Sequence, residues 1–197
     1  MNGSCDAVAN AAKRLSELEK KRTKAMETSR IITRKTKNMI HGIHVREDYR
    51  EIADGIRKDV DGLIDYLRDE PCIFYLAVVQ DSLGEYAEAF IFASVVEKKD
   101  VPSYEDLGIP PQAWVMGLAD SIGEMRRMVL TCLLEGDLDD ARYLFGRMDS
   151  VGDDVLSFDV PDAIVPVRRK QDVARSVIEK TRSDITNAVM LAQYNKR

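Results

Sequence analysis

PCIFYLAVVQDSLGEYAEAFIFASVVEK, residues 71–98, decides the fold. Pro71 suits the first turn of a helix, where its missing N–H is no loss. From there to Lys98 the stretch holds no further proline and is apolar on nearly every face, the pattern of a helix at the centre of a bundle. It shows no alternation of apolar and polar residues, so it does not read as a strand. Upstream, residues 6–45 read as one long helix of Ala, Lys, Arg, Glu and Leu, with a stripe at Val8, Leu15, Leu18, Ala25, Ile32, Met39 and Ile43. Residues 47–68 read as a second helix, with Ile52, Ile56, Val60, Leu63, Ile64 and Leu67 on one face. Downstream, Pro102, Gly108, Pro110 and Pro111 mark a loop, followed by another mostly apolar helix over 112–134. Gly136-Asp137 ends that helix and starts one running to about 156. Pro161 and Pro166 keep 158–167 out of regular helix, and 168–194 form an amphipathic last helix. The expected fold is all-α, one bundle of about seven helices in a single domain over residues 1–197.

Charge is unevenly spread. Between Lys13 and Lys37 there are ten Lys or Arg against three Glu, so this segment carries +7 and the rest −12, within a total of −5. An acidic protein with one basic helix can meet a polyanion through that helix, and a solvated helix face has the same composition. Arg30, Arg34, Lys35 and Lys37 lie within about two turns, close enough to share one phosphate backbone segment. The three cysteines, Cys5, Cys72 and Cys132, have no paired spacing; Cys72 and Cys132 read as small core residues, and the usage fits a reducing cytoplasm. The chain shows no secretory signal and no apolar run long enough to span a bilayer, so no membrane partner is expected.

Two apolar helices carry acids that burial should exclude. Glu85 and Glu88 lie at i and i+3 in the 71–98 helix; Asp120 and Glu124 lie at i and i+4 in the 112–134 helix. Each pair projects from one side of its helix, and packing the two helices together would gather four carboxylates. Such a cluster needs neutralising. A divalent cation would do it, and all-oxygen ligands select Mg²⁺ or Mn²⁺ over zinc. Arg127, at i+7 and i+3 from Asp120 and Glu124, would also do it; separate surface acids are the third reading. A metal held by these groups would serve phosphodiester hydrolysis.

Other features are weaker. His41 and His44 share a helix face and suit packing, hydrogen bonding or phosphate contact. Trp114, Phe90 and Phe92 read as core. Arg168, Arg169 and Lys170 open the last helix, where the dipole disfavours cations, so an anionic partner or a solvated turn belongs there. No P-loop, nucleophile elbow or zinc-finger spacing is present.

Taken together, these residues resemble the translin superfamily, and more its catalytic member, translin-associated factor X, than translin. Ser29-Arg30-Ile31-Ile32-Thr33, Lys37 and His44 are similar to the family's SRDIT…SK…LHR pattern, departing at Ile31 and Val45. Glu85–Ala89 matches its EYxEA element, Leu118–Met128 its ADLTGELxRM element, and Gly136-Asp137 the GD that follows. The resemblance runs from about Lys20 to Ile185, with a short connection near 100–112 and a looser last helix. It implies a seven-helix fold assembled into a hollow homo-oligomer, often an octamer, as in compact archaeal homologues. It also implies single-stranded RNA or DNA inside, and Mg²⁺-dependent RNA cleavage by Glu85, Glu88, Asp120 and Glu124. Nucleic-acid contacts are expected from Arg30, Arg34, Lys35, Lys37, His44 and Arg127. Two rivals remain. One is a shell that binds without cutting. The other is an all-α nucleotide pyrophosphohydrolase, whose second acidic pair should read ExxD rather than the DxxxE found here.

Overall fold

Residues 71–98 fold as two helices rather than one. In a computed structural model, which describes Gly3–Tyr194 with side chains from Asp6 onward, the chain forms α1 (Gly3–Val45), α2 (Arg50–Leu67), α3 (Pro71–Phe74) and α4 (Ala77–Val96). Then follow α5 (Tyr104–Leu107), α6 (Pro111–Glu135), α7 (Leu138–Ser157) and α8 (Arg168–Tyr194). No strand occurs among the described residues. The break after α3 falls at Leu76, whose backbone is extended at φ −64° and ψ 140°. Neither glycine nor proline marks it. Gln80 makes it tolerable: its side-chain amide donates to the Phe74 carbonyl at 2.9 Å, satisfying an acceptor that the broken helix leaves free.

Capping follows the local sequence elsewhere. Pro71 and Pro111 occupy first-turn positions. Gly136 closes α6 at φ 80°, a left-handed conformation that glycine adopts without a Cβ penalty, and the Asp137 side chain accepts from Asp140 N to start α7. The single turn of α5 is fixed by a reciprocal box between Ser103 and Asp106.

Packing runs in the order α2, α1, α4, α6, with α7 and α8 both against the far side of α6. The two acid-bearing helices, α4 and α6, are therefore the centre of the bundle, as their apolar surfaces require. They touch almost backbone to backbone. A Cβ placed on Gly117 would lie 2.6 Å from Ala87 Cβ and 2.8 Å from Glu88 N, and nearer still to the Gly84 carbonyl. Glycine at 117 is thus demanded by the approach, and Gly84 and Ala87 supply the matching flat surface.

Helix α1, about 64 Å long at 1.5 Å per residue for its 43 residues, buries Ala25, Ile32, Met39 and Ile43 but not the start of its stripe. Val8 and Leu15 are 67% and 65% exposed, so only the C-terminal part of the expected stripe reaches this core. A buried Glu70 at the α2–α3 junction clamps the helix by accepting from Arg14 and Lys21. Cys132 is buried as expected, whereas Cys72 is exposed, because the α3 turn directs Ile73 inward instead. The Cys5 side chain lies outside the described residues.

Candidate active site

The α4–α6 crossing at Gly117 sets the site. One turn beyond it on α6 comes Asp120 and another turn on Glu124; on α4, Glu85 and Glu88 flank the same crossing. Glu85, Glu88 and Glu124 line one cavity of about 330 Å³, shared with Lys37, His41 and Arg127. Asp120 stands next door, lining a cleft of about 770 Å³ with Glu85, Asp81 and Lys170. Glu85 belongs to both and to a third groove of about 620 Å³, lined by Ser29, Arg30, Thr33, Arg34, Lys37 and Asn38 of α1.

Glu88 is the most perturbed acid. Burial first, and then the charges of Asp120, Glu85 and Glu124, push its carboxyl up to about 8, against a small opposing effect of Lys170. Burial also raises Glu85; Lys37 opposes the shift, while Asp120 and Asp81 add to it. Neither Glu85 nor Glu88 makes a hydrogen bond or ion pair among the described residues. The α6 acids are already occupied. Asp120 is gripped through both carboxylate oxygens by the Lys170 ammonium. Glu124 meets His44 Nε2 at 2.5 Å and Arg127 at 3.7 Å, and the His44 hydrogen bond holds its carboxyl below the ordinary range.

The all-oxygen set and the half-buried Glu88, partnerless among the described residues, fit a hard divalent cation in character. As the side chains stand, no three acidic, histidine or cysteine groups among the described residues converge closely enough to enclose an ion. Asp120 and Glu124 would have to turn from Lys170 and His44 to complete a shell.

The basic residues divide by helix geometry. Arg30, Arg34 and Lys37 project into the groove beside Glu85 and enter no ion pair among the described residues. Lys35, expected beside them, faces the other way, because one residue turns a helix by about 100°; its ammonium pairs with Asp59 of α2 at 2.7 Å. His44 was expected on the nucleic-acid face. Its side chain is 5% exposed, stacked 5.0 Å from the Phe92 ring, and it orients Glu124 instead of meeting solvent. His41 is the exposed member of that pair, at the cavity mouth. Arg127 is exposed and lines the acid cavity, but Lys170 and His44 take most of the neutralising role that sequence reasoning gave it.

Two residues of the site escaped sequence reasoning. Asp81 lies one turn before Glu85, at i−4, a spacing that was visible. Lys170 was noticed only as a misplaced cation at a helix start. Its position is fixed by the next residue, Gln171, whose amide donates to Val155 O and Phe158 O and so ties α8 to the end of α7.

No protein-family model matches the chain. It is 30% identical over 183 residues to an uncharacterized protein of Methanocaldococcus jannaschii, covering 89% of this chain and 81% of the relative. Among solved structures, an AfC3PO–duplex RNA complex superposes with a TM-score of 0.87 at 29% identity, covering 94% of this chain and 97% of that one. AfC3PO in another crystal structure gives 0.79 at 29% identity, with 94% and 98% coverage. The fold is also that of apo-NeC3PO, at 0.81 and 22% identity over 92% and 96% of the two chains. No described helix is long and apolar enough to cross a membrane. With the EYxEA and ADLTGELxRM-like elements meeting at the α4–α6 crossing of this shared fold, the chain belongs to the translin/TRAX superfamily.

Proposed function

We propose that the protein is a metal-dependent endoribonuclease of the TRAX-like kind, binding RNA inside a homo-oligomeric shell and hydrolysing its phosphodiester bonds. The observation that carries this reading is Glu88: a half-buried carboxylate without a partner among the described residues, facing three more acids, beside a groove lined by Arg30, Arg34 and Lys37, which form no ion pair there. Glu85, Glu88, Asp120 and Glu124 would hold Mg²⁺ or Mn²⁺. Bound there, the ion would polarise the phosphodiester and lower the pKa of a water. Lys37, shared by the acid cavity and the α1 groove, would fix a backbone phosphate between them. A carboxylate of this set left outside the ion's coordination shell would take the proton of the attacking water. His44 keeps Glu124 pointed and ionised from behind.

The exposed Val8 and Leu15 on the α1 arm suit burial against further copies, as an octamer-like shell would provide. The AfC3PO structure holds duplex RNA, so duplex and single-stranded RNA, and single-stranded DNA, all belong among the trial substrates.

The second reading is a shell that binds nucleic acid without cutting it. The pairing of Asp120 with Lys170 and of Glu124 with His44 and Arg127 favours it, since the charges of two of the four acids are then balanced without a metal. Incubating RNA with Mg²⁺ or Mn²⁺ separates the two. Glu85→Gln and Asp120→Asn should each abolish cleavage and leave RNA binding equal or tighter, as each removes a ligand and a negative charge. Wild-type-rate cleavage by the double variant would refute the nuclease assignment.

A further inference from the structure

Lys170 is the one cation that enters the acidic site from α8, and neither the sequence motifs nor the C3PO likeness gives it a role. Its ammonium caps both oxygens of Asp120, and its stem lines the 770 Å³ cleft together with Glu85 and Asp81. Its charge also reaches the α4 acids, where it opposes the upward shift of Glu85 and Glu88. A tether for α8 would not need such a residue. That helix is already held by buried Ala174, Ile178, Thr181 and Ile185, and by Arg126, which donates to Thr181 Oγ1 and to Asp184 at 2.6 and 3.0 Å. Gln171 anchors the first turn to the backbone of α7, so Lys170 stands on a fixed base with a flexible four-carbon stem.

With the ammonium seated across both oxygens of Asp120, a divalent ion approaching that carboxylate meets a like charge at close range, so the two cations compete for Asp120. The displaced ammonium stays in the cleft, next to the groove and cavity that share Glu85. It would lie where a phosphodiester held by the site presents its negative oxygens.

We propose that Lys170 is the built-in counter-cation of the acidic site: it occupies Asp120 until a divalent ion takes that carboxylate, and then turns to the RNA phosphate. This rests on the nuclease reading above and names a residue that contacts the substrate in that reaction.

The test compares wild type with Lys170→Met and Lys170→Gln. Mn²⁺ affinity is measured by calorimetry without RNA, and RNA cleavage in single turnover at saturating Mn²⁺ and protein. Without its competitor, Asp120 should bind Mn²⁺ about tenfold more tightly in both variants, the scale expected for removing one close ion pair. Cleavage should nevertheless fall about a hundredfold, the scale for losing one donor to developing negative charge. A purely structural lysine would instead lower thermal stability equally with and without Mn²⁺ and leave Mn²⁺ affinity unchanged. Unchanged or weaker Mn²⁺ affinity in folded variants, or cleavage at the wild-type rate, would each overturn the proposal. Failure of wild type itself to take up Mn²⁺ would overturn the metal-dependent reading and this one with it. Uptake by wild type that the variants merely equal would overturn the role of Lys170 alone.

Discussion

Glu88→Gln should make the metal-free protein more stable at pH 8 and leave it unchanged at pH 4. In the folded chain Glu88 holds its proton to about pH 8, whereas an unfolded glutamate releases it near 4.5. Below 4.5 both states carry the proton and the residue contributes nothing to the pH dependence. Between 4.5 and 8 the folded state binds more protons than the unfolded one, so stability falls as pH rises; above 8 the loss is complete. A rise of this size corresponds to a loss of about 2 to 5 kcal/mol, at 1.36 kcal/mol per pKa unit, with side-chain rotation and water entry setting the lower end. Glutamine keeps the shape and removes the titration. The comparison isolates Glu88, because groups shifted the other way, such as Glu124, act equally in both proteins to first order. Urea denaturation in EDTA at pH 4, 6 and 8 reads the effect directly. Repeating the pH 8 series with millimolar Mn²⁺ should stabilise the wild type and help Glu88→Gln far less, because an ion that binds only the folded state adds its binding energy to folding. Parallel stability profiles for the two proteins in EDTA would refute the reasoning. So would a glutamine variant less stable than wild type at pH 8.

Gly117→Ala should destabilise the protein by about 2 to 4 kcal/mol, since the added methyl meets rigid α4 backbone. Gly152→Ala should cost much less, because its methyl meets only the movable Cδ1 end of Ile178; chemical denaturation compares them, and equal effects would place the α4–α6 approach in error. His44→Ala should cost about 1 to 3 kcal/mol and His44→Gln less, since the amide can still donate to Glu124. Thermal melts distinguish the two, and a glutamine variant as unstable as the alanine one would show that ring packing on Phe92, not the hydrogen bond, is what His44 supplies.

The parts of this structure that were legible in sequence are those fixed within a few helical turns. The stretches around 77–96 and 111–135 announce themselves as central helices because no polar face is left for water, and the i, i+3 and i, i+4 acids then stand out against that background. Gly136-Asp137 declares a helix end and a helix start through backbone conformation and side-chain capping alone. The break at Leu76 was not legible, since its enabling contact is a single Gln80 amide and no residue in 71–98 after Pro71 forbids a continuous helix. Lys35 was misplaced for a related reason: adjacency in sequence suggested one patch with Arg34, while the 100° turn and the presence of Asp59 on α2 send it elsewhere.

The site repeats this division in its chemistry. Its anions sit in two short motifs, so their spacing and helical face could be read in advance. Their cations come from far along the chain: His44 is 80 residues from Glu124, and Lys170 is 50 residues from Asp120. A single sequence can show that four carboxylates must be neutralised but not which distant side chain reaches them, because that depends on the register of α1 and α8 against α6. This is also why the choice between nuclease and binding shell cannot be made on the acids alone. If Lys170 and His44 were permanent partners, Asp120 and Glu124 would be spent as structural ion pairs and the site would hold no ion. Glu88 argues against that arrangement as the final state of the site. It lies deepest in the cluster, no cation pairs with it among the described residues, and Lys170, which offsets only part of its shift, is held by Asp120 as His44 is held by Glu124. A fold that needed only structural neutrality would gain by replacing Glu88 with an uncharged residue. Keeping it ionisable there makes sense when a further positive charge is expected to arrive.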